Sequence, residues 1–149
     1  MRYSVGYLVP FLFLWSFDCL SQQREHITWD FSAIHVSGNE WKVIGTAIID
    51  SGWHLYSQSI GADGPMPTSF SVDKQGVRLN GKVKELGVAK KSYDSIFMMN
   101  VTWYERRVDF EQLVKATSGA EVLGEVIYSV CSEEECVPGS VHFRVKLLK

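Results

Sequence analysis

Two cysteines, Cys131 and Cys136, are separated by Ser132-Glu133-Glu134-Glu135, preceded by Val126-Ile127-Tyr128-Ser129-Val130 and followed by Val137-Pro138. With Cys19 assigned to a removable leader, argued below, they are the only cysteines left. They must then pair with each other, bind something or react. If they flank a four-residue hairpin loop, they face each other across two strands with Cα atoms about 4.5–5.5 Å apart, a separation a disulfide can span. The loop so closed is short, and chain entropy assigns such a bridge only about 2 kcal/mol. The residues alone therefore leave two readings open, a structural staple and a redox pair. The three glutamates beside the sulfurs disfavour a thiolate, so the thiols are expected to be weak nucleophiles by themselves. Such a pair can still be attacked by a partner's activated thiolate, and can hand electrons on inside a complex. The glutamates read either as a solvated hairpin tip or as a contact surface for a basic or polar partner.

Other chemistries find little support. His26, His35, His54 and His142 are scattered without zinc-site spacing, and two cysteines supply half a tetrahedral set. No metal and no cofactor are expected. Gly-x-Ser-x-Gly, His-Glu-x-x-His and phosphate-loop patterns are missing from the sequence. Asn100-Val101-Thr102 has the form of a glycosylation sequon, but it falls in a predicted strand and is discounted. A formal charge of −2, with 21% charged and 46% hydrophobic residues, indicates neither disorder nor nucleic-acid binding.

The N-terminus reads as a secretory signal. Arg2 precedes an apolar stretch from Val5 to Phe17, and Cys19-Leu20-Ser21 before Gln22 suits cleavage after Ser21. The rival is a lipid anchor through Cys19, against which Asp18 stands where a small residue is wanted. The apolar stretch is shorter than the ~20 residues of a spanning helix. The expectation is a signal at residues 1–21 and one soluble domain at 22–149, in an oxidising compartment, as a monomer.

The elements that must position the cysteines follow from a period of two. Bulky residues alternate in Ile27-Thr28-Trp29-Asp30-Phe31 and in Trp41-Lys42-Val43-Ile44-Gly45, joined by the hairpin signal Ser37-Gly38-Asn39-Glu40. Asp50-Ser51-Gly52 turns the chain into Trp53-His54-Leu55-Tyr56. Further strands are predicted over 68–72, 77–83, 97–104, 108–114, 122–131 and 141–147. Helix signals are poor, a short turn over 111–116 being the best. About eight short antiparallel strands predict an all-β, immunoglobulin-like β-sandwich, with a small closed barrel as the alternative. Two segments break the alternation. Residues 59–67 hold the glycines and prolines of a crossover, and residues 90–99 end in an apolar bunch that suits either core or a lid.

Four motifs in register carry a resemblance. Cys131-(four residues)-Cys136-Val137-Pro138 after Glu125-Val126-Ile127-Tyr128, Asp50 through Gln58, Asp94-Ser95-Ile96-Phe97, and Trp103-Tyr104-Glu105 resemble the N-terminal periplasmic domain of the DsbD thiol:disulfide interchange family. The resemblance implies an immunoglobulin-like fold whose cysteine pair exchanges disulfides with thioredoxin-like periplasmic proteins or a membrane electron donor. It assigns exchange to Cys131 and Cys136, the aromatic of a cap loop to Phe97, a nearby acid to Asp94, and a place beneath the pair to Tyr56 and His54. Pro138-Gly139 departs from the two prolines of many relatives. The sequence carries neither a multi-helix membrane domain nor a thioredoxin-like Cys-x-x-Cys, so electrons are expected from separate proteins. An exported binding or adaptor sandwich with a purely structural disulfide is the alternative.

Overall fold

The computed structural model describes residues 25–149 apart from residues 74 and 96. The signal assignment and Cys19 lie outside the described residues. Eight strands and no helix make up the described chain: β1 Ile27–Ser37, β2 Glu40–Ile49, β3 His54–Tyr56, β4 Ser69–Val72, β5 Arg78–Asp94, β6 Met99–Lys115, β7 Glu121–Cys131 and β8 Cys136–Lys146. All pairings are antiparallel, in the order β1-β2-β6-β3-β7-β4, with β5 added to β6 and β8 to β7.

The sheet curls because apolar residues on one face must leave water. Trp41, Val43, Ala47 and Ile49 of β2, Val108, Phe110 and Val114 of β6, and Val122, Val126, Tyr128 and Val130 of β7 enclose the main core. Aromatic rings from opposite ends of the hydrogen-bonded order close it. Phe31 of β1 stacks on Phe143 of β8, with ring centroids 4.6 Å apart, and Trp29 meets Phe70, Phe110 and Tyr128 at 5.6–5.9 Å. Deep in the core, the Trp41 indole N–H donates to the Ala116 carbonyl at 3.2 Å. The result is all-β, with the sandwich-like facing of two halves that an immunoglobulin-like fold requires.

Strands expected from alternation are present, and three segments differ from expectation. Residues 84–94 continue β5 as an edge strand; most of its residues are exposed on both faces, so no alternation marks it in the sequence. The predicted strands 97–104 and 108–114 are one strand, β6, which runs through Arg106 in a left-handed conformation (φ 66°). Of the short turn expected over 111–116, residues 111–115 lie in the same strand and pair with β2.

Close packing fixes the meeting of β4 and β7. A side chain on Gly124 would collide with the Ser71 carbonyl and the Phe143 ring. The carbonyl belongs to the backbone pairing of Val72 with Gly124 and cannot swing aside. Gly124→Ala should therefore destabilise the fold by about 2 kcal/mol, seen as a lower urea midpoint with an unchanged slope.

Candidate functional site

Strands β7 and β8 pair in register from Glu121↔Lys146 to Cys131↔Cys136. Just beyond the cysteines the Ser132 N–H donates to the Glu135 carbonyl at 2.8 Å. That leaves Cys131 and Cys136 as the closer, non-hydrogen-bonded kind of cross-strand pair. They form a disulfide with Cα atoms 4.0 Å apart, somewhat nearer than the separation expected from the sequence. The Ser132 hydroxyl gathers the tip by accepting the N–H groups of Glu134 (3.1 Å) and Glu135 (3.2 Å). Glu133, Glu134 and Glu135 are exposed.

The departure at Pro138-Gly139 has a structural account. Pro138 faces Ser129 on β8, which pairs with β7 alone, and an edge strand tolerates a residue without an N–H. Gly139 lies under the Tyr128 ring, where a Cβ would come within 2.6 Å of Cζ.

The two sulfurs differ in access. Cys131 is 1% exposed, whereas Cys136 is exposed. Cys131 is buried because β7 is enclosed on both faces at this end. Val130 points into the main core, and Cys131 points into a second cluster with Tyr56 and Val101, against which Ile60, Met99 and Trp103 pack. On its other edge β7 pairs with β3, matching His54 with Cys131 and Leu55 with Val130.

Of the residues singled out from the sequence, His54 and Tyr56 lie beside Cys131, their rings edge-to-face at 5.0 Å. Asp94 ends β5, and together with Trp53, His54, Tyr56, Tyr93, Trp103, Glu105 and Glu133 it lines a groove of about 370 Å³. Phe97 occupies the turn between β5 and β6, half-buried, with its N–H donating to Asp94 Oδ1 at 3.2 Å. It is not among the side chains packed against the Cys131 cluster; from this hairpin that place belongs to Met99. The crossover after β3 presses on Met99 as well. A Cβ on Gly61 or on Gly64 would lie 2.9 Å from its Cε or Sδ, which accounts for the glycines there.

Burial pushes the His54 imidazole below its ordinary pKa, with Glu105 opposing, so His54 is uncharged at neutral pH. Burial, reinforced by Asp94, raises the Tyr56 phenol. Behind the cluster, Glu85 of β5 accepts hydrogen bonds from Ser57 Oγ (2.7 Å), the Gln58 N–H (2.6 Å) and the Tyr104 hydroxyl (2.8 Å). This carboxylate ties β5 and β6 to the residues that leave β3. Among the described residues, no three His, Cys, Asp or Glu side chains are grouped to hold a metal ion. No described helix is long and apolar enough to cross a membrane.

Sequence reasoning assigned no role to Ser129, Val101 or Glu85, and it named Ile60, Met99 and Trp103 only as members of their segments. The first was detectable in principle, because a residue two before Cys131 on a strand shares its face.

Residues 22–147 match the family described as thiol:disulfide interchange protein DsbD, N-terminal. The chain belongs to that family. Among curated proteins none matches it in sequence. The N-terminal periplasmic domain of ScsB from Proteus mirabilis superposes with a TM-score of 0.59 at 16% identity, over 85% of this chain and 48% of that one. The reduced DsbD N-terminal domain of Neisseria meningitidis gives 0.53 at 18% identity, over 78% and 83%. The structure of the complex between the DsbD and PilB N-terminal domains of Neisseria meningitidis gives 0.52 at 14% identity, over 85% and 87%. At these identities the likeness is one of fold, and it agrees with the immunoglobulin-like architecture of the DsbD N-terminal domains.

The Glu85 clamp makes alkaline stability measurable. Burial and the Glu85 carboxylate raise the Tyr104 phenol from 10.0 to about 12. Above pH 10 the unfolded chain releases this proton while the folded chain keeps it. The stabilisation is therefore complete below 10 and is lost as pH rises towards 12. Tyr104→Phe should make urea stability fall less steeply over that range. Tyr56 and Tyr128, also raised by burial, should preserve part of the slope.

Proposed function

We propose that this DsbD-family domain is a periplasmic thiol:disulfide exchange module that passes electrons between thioredoxin-like partners, or from a membrane donor to a client, through Cys131 and Cys136. The observation that carries the reading is the unequal access of the two sulfurs. An incoming thiolate reaches the exposed Cys136 Sγ, and Cys131 Sγ is shielded by β3 and β6.

In the reductive half-reaction the partner's thiolate attacks Cys136 Sγ. A mixed disulfide forms, the Cys131–Cys136 bond breaks, and Cys131 leaves as a thiolate. The partner's second thiol then attacks the mixed disulfide and releases Cys136, so two electrons have moved onto this domain. In the oxidative half the Cys136 thiolate attacks a client disulfide. Cys131 then displaces the client and restores the bond. Glutamates at the tip make unassisted thiolate formation unfavourable, which assigns activation to the partner.

Phe97, in the turn anchored by Asp94, acts in this reading as the cap-loop aromatic, and Tyr56 and His54 form the floor. The Neisseria DsbD N-terminal domain has been seen in complex with the PilB N-terminal domain, which supports another protein as the partner of this domain.

Cys131→Ala leaves the reachable Cys136 thiol without its resolving partner. It should accumulate a mixed disulfide with a thioredoxin-like domain, and Cys136→Ala should capture far less. Failure of both variants to capture, together with a reduction potential below about −300 mV, would mark the bridge as structural. Phe97→Ala should speed reduction of the disulfide by dithiothreitol by about threefold or more if the ring limits access. An unchanged rate removes Phe97 from the cap.

A further inference from the structure

Ser129 is 6% exposed, and its Oγ lies 3.6 Å from Cys131 Sγ. Among the described residues this sulfur is the only hydrogen-bond partner of the hydroxyl. Cys131 is in a disulfide and carries no proton, so Ser129 is the donor. The pairing is a poor return for burying a hydroxyl. Disulfide sulfur is a weak acceptor, and a buried polar group without a good partner is costly. Alanine or valine would suit the oxidised state better. The same hydroxyl is well matched to a thiolate, because hydrogen bonds to an ionised acceptor are about twice as strong as neutral ones.

We propose that Ser129 is a catalytic group of the exchange reaction, donating its hydroxyl proton in a hydrogen bond to Cys131 Sγ as that sulfur leaves as a thiolate. The inference rests on the exchange reading above, in which an external thiolate attacks Cys136. The attacking sulfur bonds to Cys136 Sγ, the electron pair of the broken S–S bond goes to Cys131 Sγ, and no proton is transferred. Ser129 lowers the energy of the charge that appears on the buried sulfur. In the return step it holds Cys131 as the thiolate that displaces the client.

The geometry does not depend on the disulfide. Ser129 and Cys131 are two residues apart on β7 and share a face. The strand is paired on one edge with β8, through Ser129↔Pro138 and Cys131↔Cys136, and at Cys131 on the other with His54 of β3. These ladders persist when the S–S bond opens. The titratable groups around Cys131 are His54 and Tyr56 from β3, Asp94 from β5, Glu105 from β6 and Glu133 from the hairpin tip. The three carboxylates Asp94, Glu105 and Glu133 oppose negative charge there, Glu105 less so because Lys90 pairs with it at 2.6 Å, and the Tyr56 phenol stays protonated. Ser129 is a neutral donor already within hydrogen-bond distance of the sulfur, at 3.6 Å, and offsets them.

The test compares Ser129→Thr, which keeps the hydroxyl, with Ser129→Val, which has the same shape without it, and adds Ser129→Ala as the least crowded variant. Disulfide reduction by dithiothreitol is followed at several pH values. Titration of Cys131 in the reduced protein is read from the Cβ signal of 13C-labelled cysteine. The Val and Ala variants should react about fivefold to tenfold more slowly than wild type and should titrate at higher pH, with Thr close to wild type. Equal rates and equal titration for folded Thr, Val and Ala variants would overturn the proposal. Because the attacking thiol is a small molecule, that result would leave the protein-exchange reading untouched. Failure to capture any protein partner would leave this chemistry measurable.

Discussion

Three residues, His54–Tyr56, are bonded through their backbones to strands on both sides, to Trp103 and Tyr104 of β6 and to Val130 and Cys131 of β7. This short strand is the seam between the two halves of the curled sheet. Without it, β6 and β7 have no common neighbour in the hydrogen-bonded order. Leu55, fully buried, faces the main core, while Tyr56 turns to the opposite face and meets Cys131. One strand thereby serves both the fold and the site. A strand of this length cannot hold itself in place, and its neighbours do so. The Thr68 hydroxyl donates to the Tyr56 carbonyl at 2.6 Å, the Ser57 N–H donates to the Thr102 carbonyl at 2.9 Å, and Glu85 fastens the next two residues.

The chemistry at the seam follows from an asymmetry of environment and not from the residue types. Both cysteines belong to one hairpin and sit opposite each other, yet one faces packed aromatic and aliphatic side chains and the other faces water. A disulfide between unequal sulfurs has a direction: one end is available to attack and the other is a leaving group. The groove beside it is walled by aromatic rings and edged with carboxylates; His54 stays uncharged there, and the ammonium of Lys90, next to the groove, is paired with Glu105 at 2.6 Å.

How much of this was legible depended on whether a residue's environment repeats with the strand. The β1–β2 hairpin and β7 were readable because one face is apolar and the other polar. Strand β5 was not, because an edge strand wet on both sides carries no such signature. Strand β6 was divided in the reading at Glu105-Arg106-Arg107, a polar run that the structure carries as a local irregularity opposite the register shift between Gly87 and Ala89. At the site, His54 and Tyr56 were found by motif. Ser129 was passed over because a serine in a strand is unremarkable until its burial is known. The apolar bunch ending in Met99 was recognised as core or lid, but the sequence could not say that Met99 turns onto the cysteine cluster.

The position of the disulfide within a single tight hairpin separates redox state from folding. A bridge between distant strands would restrain a large part of the unfolded chain, and opening it would cost much of the 5–15 kcal/mol that typically holds a domain together. Here only four residues lie between the cysteines, and the β7–β8 ladder beneath them is independent of the S–S bond. In the proposed exchange, opening this bridge would therefore leave the architecture nearly unchanged, so each turnover would cost the fold little.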